Sequence, residues 1–216
     1  RGLVVLQFAI AQILMIGTLI AVRQMSLVQG TDLGFNQEAV YYMEVPSDTE
    51  ETNRMETLKQ ELLRIPGVLA ASKGSDPPSS GNNSATNFYF DQKSEDVTFP
   101  AYFKLADADY FDFYEMEFAA GKGYPASDTI RNVVINETMA KKLMIASPEE
   151  AIGRLIKLGG GAWVPITGVV KDFTQNSLRE ELKQLVLTSN KTSYRQVAVK
   201  LDETANRATL EAIQSK

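Results

Sequence analysis

The chain has 216 residues, of which 44% are hydrophobic and 23% are charged, an ordinary composition for a globular protein. It contains neither cysteine nor histidine, which excludes thiol chemistry, disulfides, imidazole bases and the usual zinc sites. The formal net charge is −5; residues 1–23 hold two of the 22 basic and none of the 27 acidic side chains, so the remainder carries −7. This acidic balance argues against nucleic acid as a partner.

Residues 3–22 form an uncharged stretch whose helix would cover about 30 Å, the thickness of a bilayer hydrocarbon core. A signal peptide is disfavoured because its apolar region is shorter and no A-x-A cleavage site precedes Arg23. A core helix of a soluble domain is disfavoured because such a helix seldom lacks a polar face. We therefore predict a transmembrane helix that, with a short extension beyond the bilayer, occupies residues 1–29.

Four positions in this helix are candidates for contact with other membrane helices, because small and polar residues join helices in lipid. They are Gln7, Gln12, Gly17 and Thr18. An alternative stays open for the two glutamines, which would then point only at a neighbouring group or a lipid headgroup. Arg1 and Arg23 flank the span symmetrically, so the distribution of positive charge does not fix its orientation.

The sequence pattern over residues 30–80 predicts a β-α-β unit. The membrane helix is expected to stop near Gly30, because glycine commonly follows a helix end. Strand propensity and helical periodicity then predict three elements. These are a strand over 40–45, a helix from Ser47 or Asp48 to about residue 65, and a strand over 68–72.

The sequence pattern over residues 81–190 predicts an insert of mixed strands and helices. It begins in a loop at 76–84 that is rich in Pro, Ser, Gly and Asn. Its predicted strands cover 86–91, 97–105, 133–135, 155–158, 164–170 and 185–187. Its predicted helices are a short one capped by Asp109, one over 137–144, a helical turn at Pro148 and one over 178–182. Three glycines at 159–161 predict a hairpin turn between two of the strands.

Residues 191–216 carry a predicted strand over 197–201 and a last helix that Asp202 can cap. Because the chain begins with Arg1 and stops at Lys216 inside a helical pattern, we expect both ends to be cut, with a closing strand beyond Lys216. The predicted fold class is α+β. One transmembrane helix precedes a two-part domain, in which a split β-α-β part holds the inserted mixed α/β part.

No segment carries a convincing catalytic, cofactor or metal site. The glycines at 159–161 lack the Lys-Ser/Thr that a phosphate loop needs. An acidic cluster lacks the glycine of a calcium loop and is typical of a solvated helix face. Its members are Asp107, Asp109, Asp112, Glu115 and Glu117. Ser79 and Ser80 have no histidine with which to form a triad, although a Ser-Lys dyad stays open without a motif to support it.

Several segments share an order and spacing that extends over nearly the whole chain. Besides the apolar span from residue 3, they are Asp32-Leu-Gly-Phe-Asn36, Leu62-Leu-Arg-Ile-Pro-Gly-Val68, Asp107-Ala-Asp-Tyr-Phe111, Glu117-Phe-Ala-Ala-Gly121, Val133-Val-Ile-Asn-Glu137, Ala151-Ile-Gly153, Ile166-Thr-Gly-Val-Val-Lys-Asp-Phe173 and Ser177-Leu-Arg-Glu-Glu181. Together they resemble the MacB-like periplasmic core domain of FtsX-like ABC transporter permeases, in the variant common in Bacteroidetes.

This resemblance implies a bacterial inner-membrane protein with a cytoplasmic N-terminus and with the residues after about 23 in the periplasm. It implies a porter-like part, formed by 30–80 and 191–216, and a sabre-like part over 81–190. It also implies a dimer of permeases, a cytoplasmic ABC ATPase that is separate or fused, and a periplasmic or outer-membrane partner. Neither a cofactor nor an enzymatic activity of the chain itself is implied.

The predicted function is that of a permease ectodomain that relays ATP-driven movement to periplasmic substrates or partners in export or efflux. The alternative is the extracytoplasmic sensor domain of a membrane receptor or histidine kinase, which also places a mixed domain after a span. A membrane-anchored hydrolase would need a nucleophile and base that the sequence does not single out.

Overall fold

In the computed structural model, the described residues are 2–29, 33–36, 38–45, 49–80, 84–93, 97–176 and 180–216. They belong to two units, Arg1–Leu33 and Gly34–Lys216. The predicted helix stop at Gly30 and the predicted caps Ser47 and Asp48 lie outside the described residues.

Helix α1 spans Gly2–Gln29, in agreement with the predicted membrane helix. Within it, Gly2–Ser26 is long and apolar enough to cross a membrane, and none of its most apolar window is buried. Large apolar side chains such as Leu3 and Phe8 are exposed along it. A helix in the core of a water-soluble domain would bury such side chains, so the surface of α1 suits lipid.

The described residues of the second unit form four α-helices, two 3₁₀ helices and eleven strands. The helices are α2 (Thr49–Leu62), α3 (Tyr110–Phe113), α4 (Glu137–Lys142) and α5 (Arg207–Gln214), with 3₁₀ helices at Pro148–Ala151 and Lys191–Ser193. The strands are β1 (Val40–Glu44), β2 (Val68–Gly74), β3 (Ser84–Thr86), β4 (Phe88–Phe90), β5 (Ala101–Leu105), β6 (Phe118–Gly121), β7 (Val133–Asn136), β8 (Leu155–Leu158), β9 (Val164–Val170), β10 (Leu185–Thr188) and β11 (Gln196–Leu201).

β1, β11 and β2 form an antiparallel three-stranded sheet with β11 in its centre. This sheet joins the two ends of the unit, because β1 and β2 precede the inserted strands and β11 follows them. Helices α2 and α5 pack on one face through an apolar cluster, whose burial drives their docking. Its buried members include Met55, Leu62, Val197, Val199 and Ile213.

The inserted strands form an eight-stranded sheet in the order β3-β5-β10-β7-β9-β8-β4, with β6 paired to β9. β10 pairs in parallel with β5 and antiparallel with β7, and β7 pairs in parallel with β9. Only Asn87 separates the two end strands, β3 and β4, so one bent segment supplies both ends and the sheet curls on itself. One buried cluster of this sheet includes Phe88, Ile135, Met139 and Val186.

A third apolar cluster surrounds α3 and contains residues of both sheets. Tyr110, Phe111 and Phe113 are buried in it. Ala198 of β11 and Leu187 of β10 belong to the same cluster. The two sheets are therefore joined by a continuous aromatic layer.

Two predicted helix caps need correction. Asp109 stands at the start of α3, but its side chain makes no capping hydrogen bond and is paired with Lys59 instead.

Asp202 does not cap the last helix. Helix α5 begins after Asn206, whose side chain accepts hydrogen bonds from the backbone of Ala208 (2.8 Å) and Thr209 (3.4 Å). Asp202 lies outside the helix, and its carboxylate accepts hydrogen bonds from Thr204 in a turn. Both residue types cap helices well, so the local pattern alone did not distinguish them.

Two predicted spans also need correction, and one strand was not predicted. The strand predicted over 97–105 begins only at Ala101, and β6 was not predicted. Of the helix predicted over 178–182, the described residues 180–182 are not helical. The hairpin of β8 and β9 with its glycine turn is confirmed.

The predicted fold class is confirmed, since an apolar N-terminal helix precedes a mixed unit in which a split β-α-β sheet holds an insert. The residue boundaries of the porter-like and sabre-like parts stay a prediction.

Candidate functional site

Residues 34–36, termed here the post-helix segment, follow α1 in sequence and dock against the end of α3 and the residues after β9. Phe35 lies edge-on to Tyr114 and to Phe173, with ring centroids 6.0 and 6.1 Å apart. Each such aromatic pair contributes about 0.5–1.5 kcal/mol beyond burial of its area. Tyr114 ends α3, and Phe173 follows β9, so Phe35 connects this segment with the aromatic layer.

Gly34 allows the close approach that seats Phe35. Its φ is +80°, a region that L side chains rarely adopt. A Cβ at this position would lie 2.9 Å from the Phe173 Cβ and 3.0 Å from the Asp172 carbonyl oxygen. A larger residue would therefore force the segment away from β9.

Asn36 fixes the same segment through polar contacts. Its backbone N–H donates to the Tyr114 carbonyl at 2.8 Å, and its side-chain amide donates to Glu115 at 3.1 Å. Glu115 is also ion-paired with Lys200 of β11. The hydrogen bonds from Lys200 and then from Asn36 hold the pKa of the Glu115 carboxyl below its usual value. One carboxylate thus links the post-helix segment with the three-stranded sheet.

The position of Phe173 is set by Asn136, the last residue of β7. The Asn136 side chain accepts hydrogen bonds from the backbone N–H groups of Met139 (3.0 Å) and Leu185 (2.8 Å). Its amide donates to Asp172 at 2.8 Å and to the Lys183 carbonyl at 3.0 Å. Asn136 is fully buried, so these four bonds fasten the ends of β7, β9 and β10 together.

A buried ion pair makes a second connection between the two sheets. Lys59 of α2 donates to Asp107 at 2.6 Å and is also paired with Asp109. Asp107, which precedes α3, accepts a further hydrogen bond from Ser72 of β2 at 2.8 Å. Burial alone would lower the pKa of the Lys59 ammonium, but the two carboxylates outweigh this effect and raise it.

Lys59 was not singled out by sequence, although a signal for it exists. It lies four residues after Met55 and three before Leu62, both fully buried, and therefore on the apolar face of α2. A lysine in that position needs a buried partner. Asp107 is that partner, so the prediction that the whole acidic cluster is solvated is wrong for Asp107, which is buried.

The predicted membrane contacts Gln7, Gln12, Gly17 and Thr18 all lie within α1 and are exposed. Thr18 Oγ1 donates to the Leu14 carbonyl at 2.8 Å, one turn earlier. At about 100° per residue, Gln7 and Thr18 project from one face, whereas Gln12 projects about 140° away from Gln7. Contacts of these residues with other helices stay a prediction, and they would have to involve two sides of α1.

The possible Ser-Lys dyad has a structural counterpart in Ser80 and Lys104. Lys104 is buried and donates to Ser80 Oγ at 2.8 Å and to the Pro77 carbonyl at 3.0 Å. Burial lowers the pKa of the Lys104 ammonium to about 8. The backbone N–H of Ser80 already donates to the Gln175 carbonyl at 3.0 Å and is not available for an oxyanion. The pair therefore fastens the loop before β3.

Among the described residues, no three or more Asp or Glu side chains are grouped so that they could hold a metal ion. An exposed apolar helix of membrane-spanning length precedes an α+β unit in the chain, an arrangement typical of a membrane-anchored domain. A family model described as the MacB-like periplasmic core domain matches residues 5–215. The chain belongs to this family, whose domains are periplasmic parts of ABC transporter permeases and not themselves enzymes.

Solved structures share this fold. The periplasmic region of MacB from Actinobacillus actinomycetemcomitans is 14% identical, with a TM-score of 0.54 over 81% of this chain and 79% of that one. A permease domain from Porphyromonas gingivalis is 16% identical, with a TM-score of 0.54 over 82% and 80%. The extracellular domain of the noncanonic ABC-type transporter YknZ from Gram-positive bacteria is 18% identical, with a TM-score of 0.50 over 80% and 86%. No curated protein sequence matches the chain.

Proposed function

We propose that this chain is the mechanical relay of an export-type or efflux-type ABC transporter permease. Movement that ATP drives in the cytoplasm would pass along α1 and reach periplasmic substrates or partners through the second unit. A continuous helix transmits displacement well because it is stiff along its axis, provided that two positions of the assembly differ in energy.

The observation that carries this proposal is the docking of the post-helix segment. Phe35 and Asn36 are bound to residues at the ends of α3 and β9, and Glu115 continues the connection to β11. A pull on this segment would therefore act on both sheets together. A domain that is only tethered to the membrane by its anchor helix would not require such contacts.

The relay requires further components. We propose a second permease copy, a cytoplasmic ABC ATPase that is fused or separate, a periplasmic or outer-membrane partner, and the bacterial inner membrane as the location. Within the second unit, residues 30–80 and 191–216 would act as a porter-like part and residues 81–190 as a sabre-like part. Gln7, Gln12, Gly17 and Thr18 would contact neighbouring membrane helices.

The relay is tested by a flexible insertion near Gly30 in the complete permease, reconstituted with its ATPase in lipid nanodiscs. A spin label at Met144→Cys is suitable because Met144 is 93% exposed and residues 1–216 contain no cysteine; any cysteine in the rest of the permease is replaced by serine. We expect ATP to change the label-to-label distance between the two copies in the uninserted protein. After insertion of a glycine-rich linker, ATP hydrolysis should continue while this distance change is lost.

The control is a linker of the same length at Gly160, in the exposed turn between β8 and β9. This insertion leaves the path from α1 to the post-helix segment intact and should preserve the ATP-dependent change. An unchanged distance response in the Gly30 variant would show that α1 does not transmit the movement.

A further inference from the structure

A polar cleft of about 420 Å³ opens on a part of the second unit that the post-helix segment does not use. One wall consists of β2, a strand of the three-stranded sheet, and of α2, which packs on that sheet. The opposite wall consists of residues 107–109 and 126–128 together with Ser189, Lys191 and Tyr194. The volume lies in the range of about 300–1,000 Å³ that is common for small-molecule sites.

The lining of this cleft is dominated by charged side chains. Three lysines and four carboxylates face it, which leaves one net negative charge. The lysines are Lys59, Lys73 and Lys191, and the carboxylates are Glu56, Asp107, Asp109 and Asp128. Both signs are present, so the distribution of accessible groups decides which ligand the cleft favours.

The accessible groups are mainly carboxylates. Side-chain exposure is 58% for Glu56, 67% for Asp109 and 72% for Asp128. By contrast, it is 6% for Lys59 and 12% for Lys73, whereas Lys191 is 40% exposed beside its partner Asp128. Two of the three lysines therefore lie on the floor of the cleft, and the rim presents three carboxylates and one ammonium group.

These rim carboxylates retain acceptor capacity although each is already paired. Asp128 accepts from Lys191 through Oδ2 at 2.8 Å, and Asp109 accepts from Lys59 through Oδ2. A carboxylate has about four acceptor positions, so lone pairs on Oδ1 remain for a ligand. The hydrogen bond from Lys73 and its charge hold the pKa of Glu56 below its usual value, so Glu56 stays ionised near neutral pH.

We propose that this cleft binds an organic cation with primary ammonium groups, supplied by a polyamine or by a lysine-rich peptide. The ammonium groups would donate hydrogen bonds to the rim carboxylates Glu56, Asp109 and Asp128. These bonds would be strong because both partners are charged. A ligand that spans the cleft would connect α2 with residues 126–128 and so hold its two walls together. This proposal goes beyond the relay and does not depend on it.

The test uses the whole chain in micelles of an uncharged detergent, with spermidine and trilysine as probes and triglutamate as the anionic control. Calorimetric titration at low salt should show saturable binding of at least one cationic probe and none of triglutamate. Added salt should weaken binding because exposed charges are screened. Asp128→Asn and Glu56→Gln should each weaken binding about tenfold through loss of a charged acceptor.

The matched control is Glu117→Gln, which changes the net charge equally. Glu117 is 71% exposed and paired with Lys171, as Asp128 is paired with Lys191, but it does not line the cleft. This variant should bind the probes as tightly as the unmodified chain. Binding of spermidine alone would assign the site to polyamines, and binding of trilysine alone would assign it to peptides. Equal weakening by Glu117→Gln and Asp128→Asn, or no binding of either cation, would overturn the proposal.

Discussion

Gly34 combines two constraints that can be separated by comparison with other glycines of the chain. Its φ is positive, and a Cβ would also clash with Phe173 and the Asp172 carbonyl. Gly153 has a similar φ of +83° but open space around it. Gly160 has open space and no positive φ. The three positions therefore form a graded series for the same substitution.

Alanine substitution along this series should destabilise the second unit in a fixed order. Gly160→Ala should change the free energy of unfolding by less than about 0.5 kcal/mol. Gly153→Ala should cost about 1 kcal/mol through backbone strain alone. Gly34→Ala should cost about 2–3 kcal/mol, because close contact with Asp172 and Phe173 adds to the backbone strain. Urea unfolding followed by circular dichroism measures all three, and equal costs for Gly34 and Gly153 would refute the tight seat of the post-helix segment.

At the scale of elements, the parallel strands β7 and β9 end at polar residues that bind each other. Asn136 ends β7 and caps α4, and Asp172 follows β9. Asp172 also accepts two hydrogen bonds from Thr138, at 2.9 Å from its backbone and 2.8 Å from its hydroxyl. Two segments that are far apart in sequence thus fix the start of one short helix.

Asn136→Ala should therefore reduce the free energy of unfolding by much more than the loss of an ordinary helix cap does. It would leave the backbone N–H groups of Met139 and Leu185 buried without an acceptor, and we expect a loss of about 3 kcal/mol. Asn206→Ala is the matched control, since Asn206 caps α5 near the surface, and it should cost about 1 kcal/mol. The comparison requires urea unfolding of both variants. Equal losses would mean that the contacts beyond the cap contribute little.

The elements that sequence predicted well carry strong local signals. The glycines at 159–161 specified the β8–β9 turn, and Pro148 specified the first position of a 3₁₀ helix. β6 was missed because Phe118–Gly121 is short and half of it is alanine, a residue with weak preference for strands. In the candidate site, the Gly34-Phe35 pair was visible only as part of a family motif, because its contacts with Tyr114 and Phe173 are distant in sequence.

At the scale of the whole molecule, the two sheets are joined by the aromatic layer, the post-helix segment and the Lys59–Asp107 ion pair. Of these connections, the ion pair gives the clearest mutational test because both partners are almost completely buried. Removal of one partner leaves the other charge unpaired, which is far more costly than loss of a surface pair.

Lys59→Met should reduce the free energy of unfolding by about 3–5 kcal/mol at pH 7, because Asp107 would stay buried with only Ser72 as a donor. Adding Asp107→Asn should recover most of this loss. Lys171→Met is the surface control and should cost less than about 1 kcal/mol. Since the pKa of Lys59 is raised, its contribution is complete below its unfolded value of 10.5 and falls only at higher pH. Equal losses for Lys59→Met and Lys171→Met would contradict the connecting role of Lys59.

Sequence could not predict how the sheets are assembled from their strands. Local periodicity identifies β10 and β11 as strands, but it carries no information on their neighbours. β10 pairs with β5 and β7, which precede it by many residues, and β11 pairs with β1 and β2. Such pairings depend on the packing of the whole unit and not on any local pattern.

The central positions of β10 and β11 have a consequence for biosynthesis. A ribosome makes β1, β2, β5 and β7 well before the two late strands to which they pair. Until β10 and β11 emerge, the earlier strands expose unpaired backbone and apolar faces, a state that is prone to aggregation. A newly made chain must therefore wait for β10 and β11 before these two sheets can form, and a chaperone that shields extended segments would protect it during that interval.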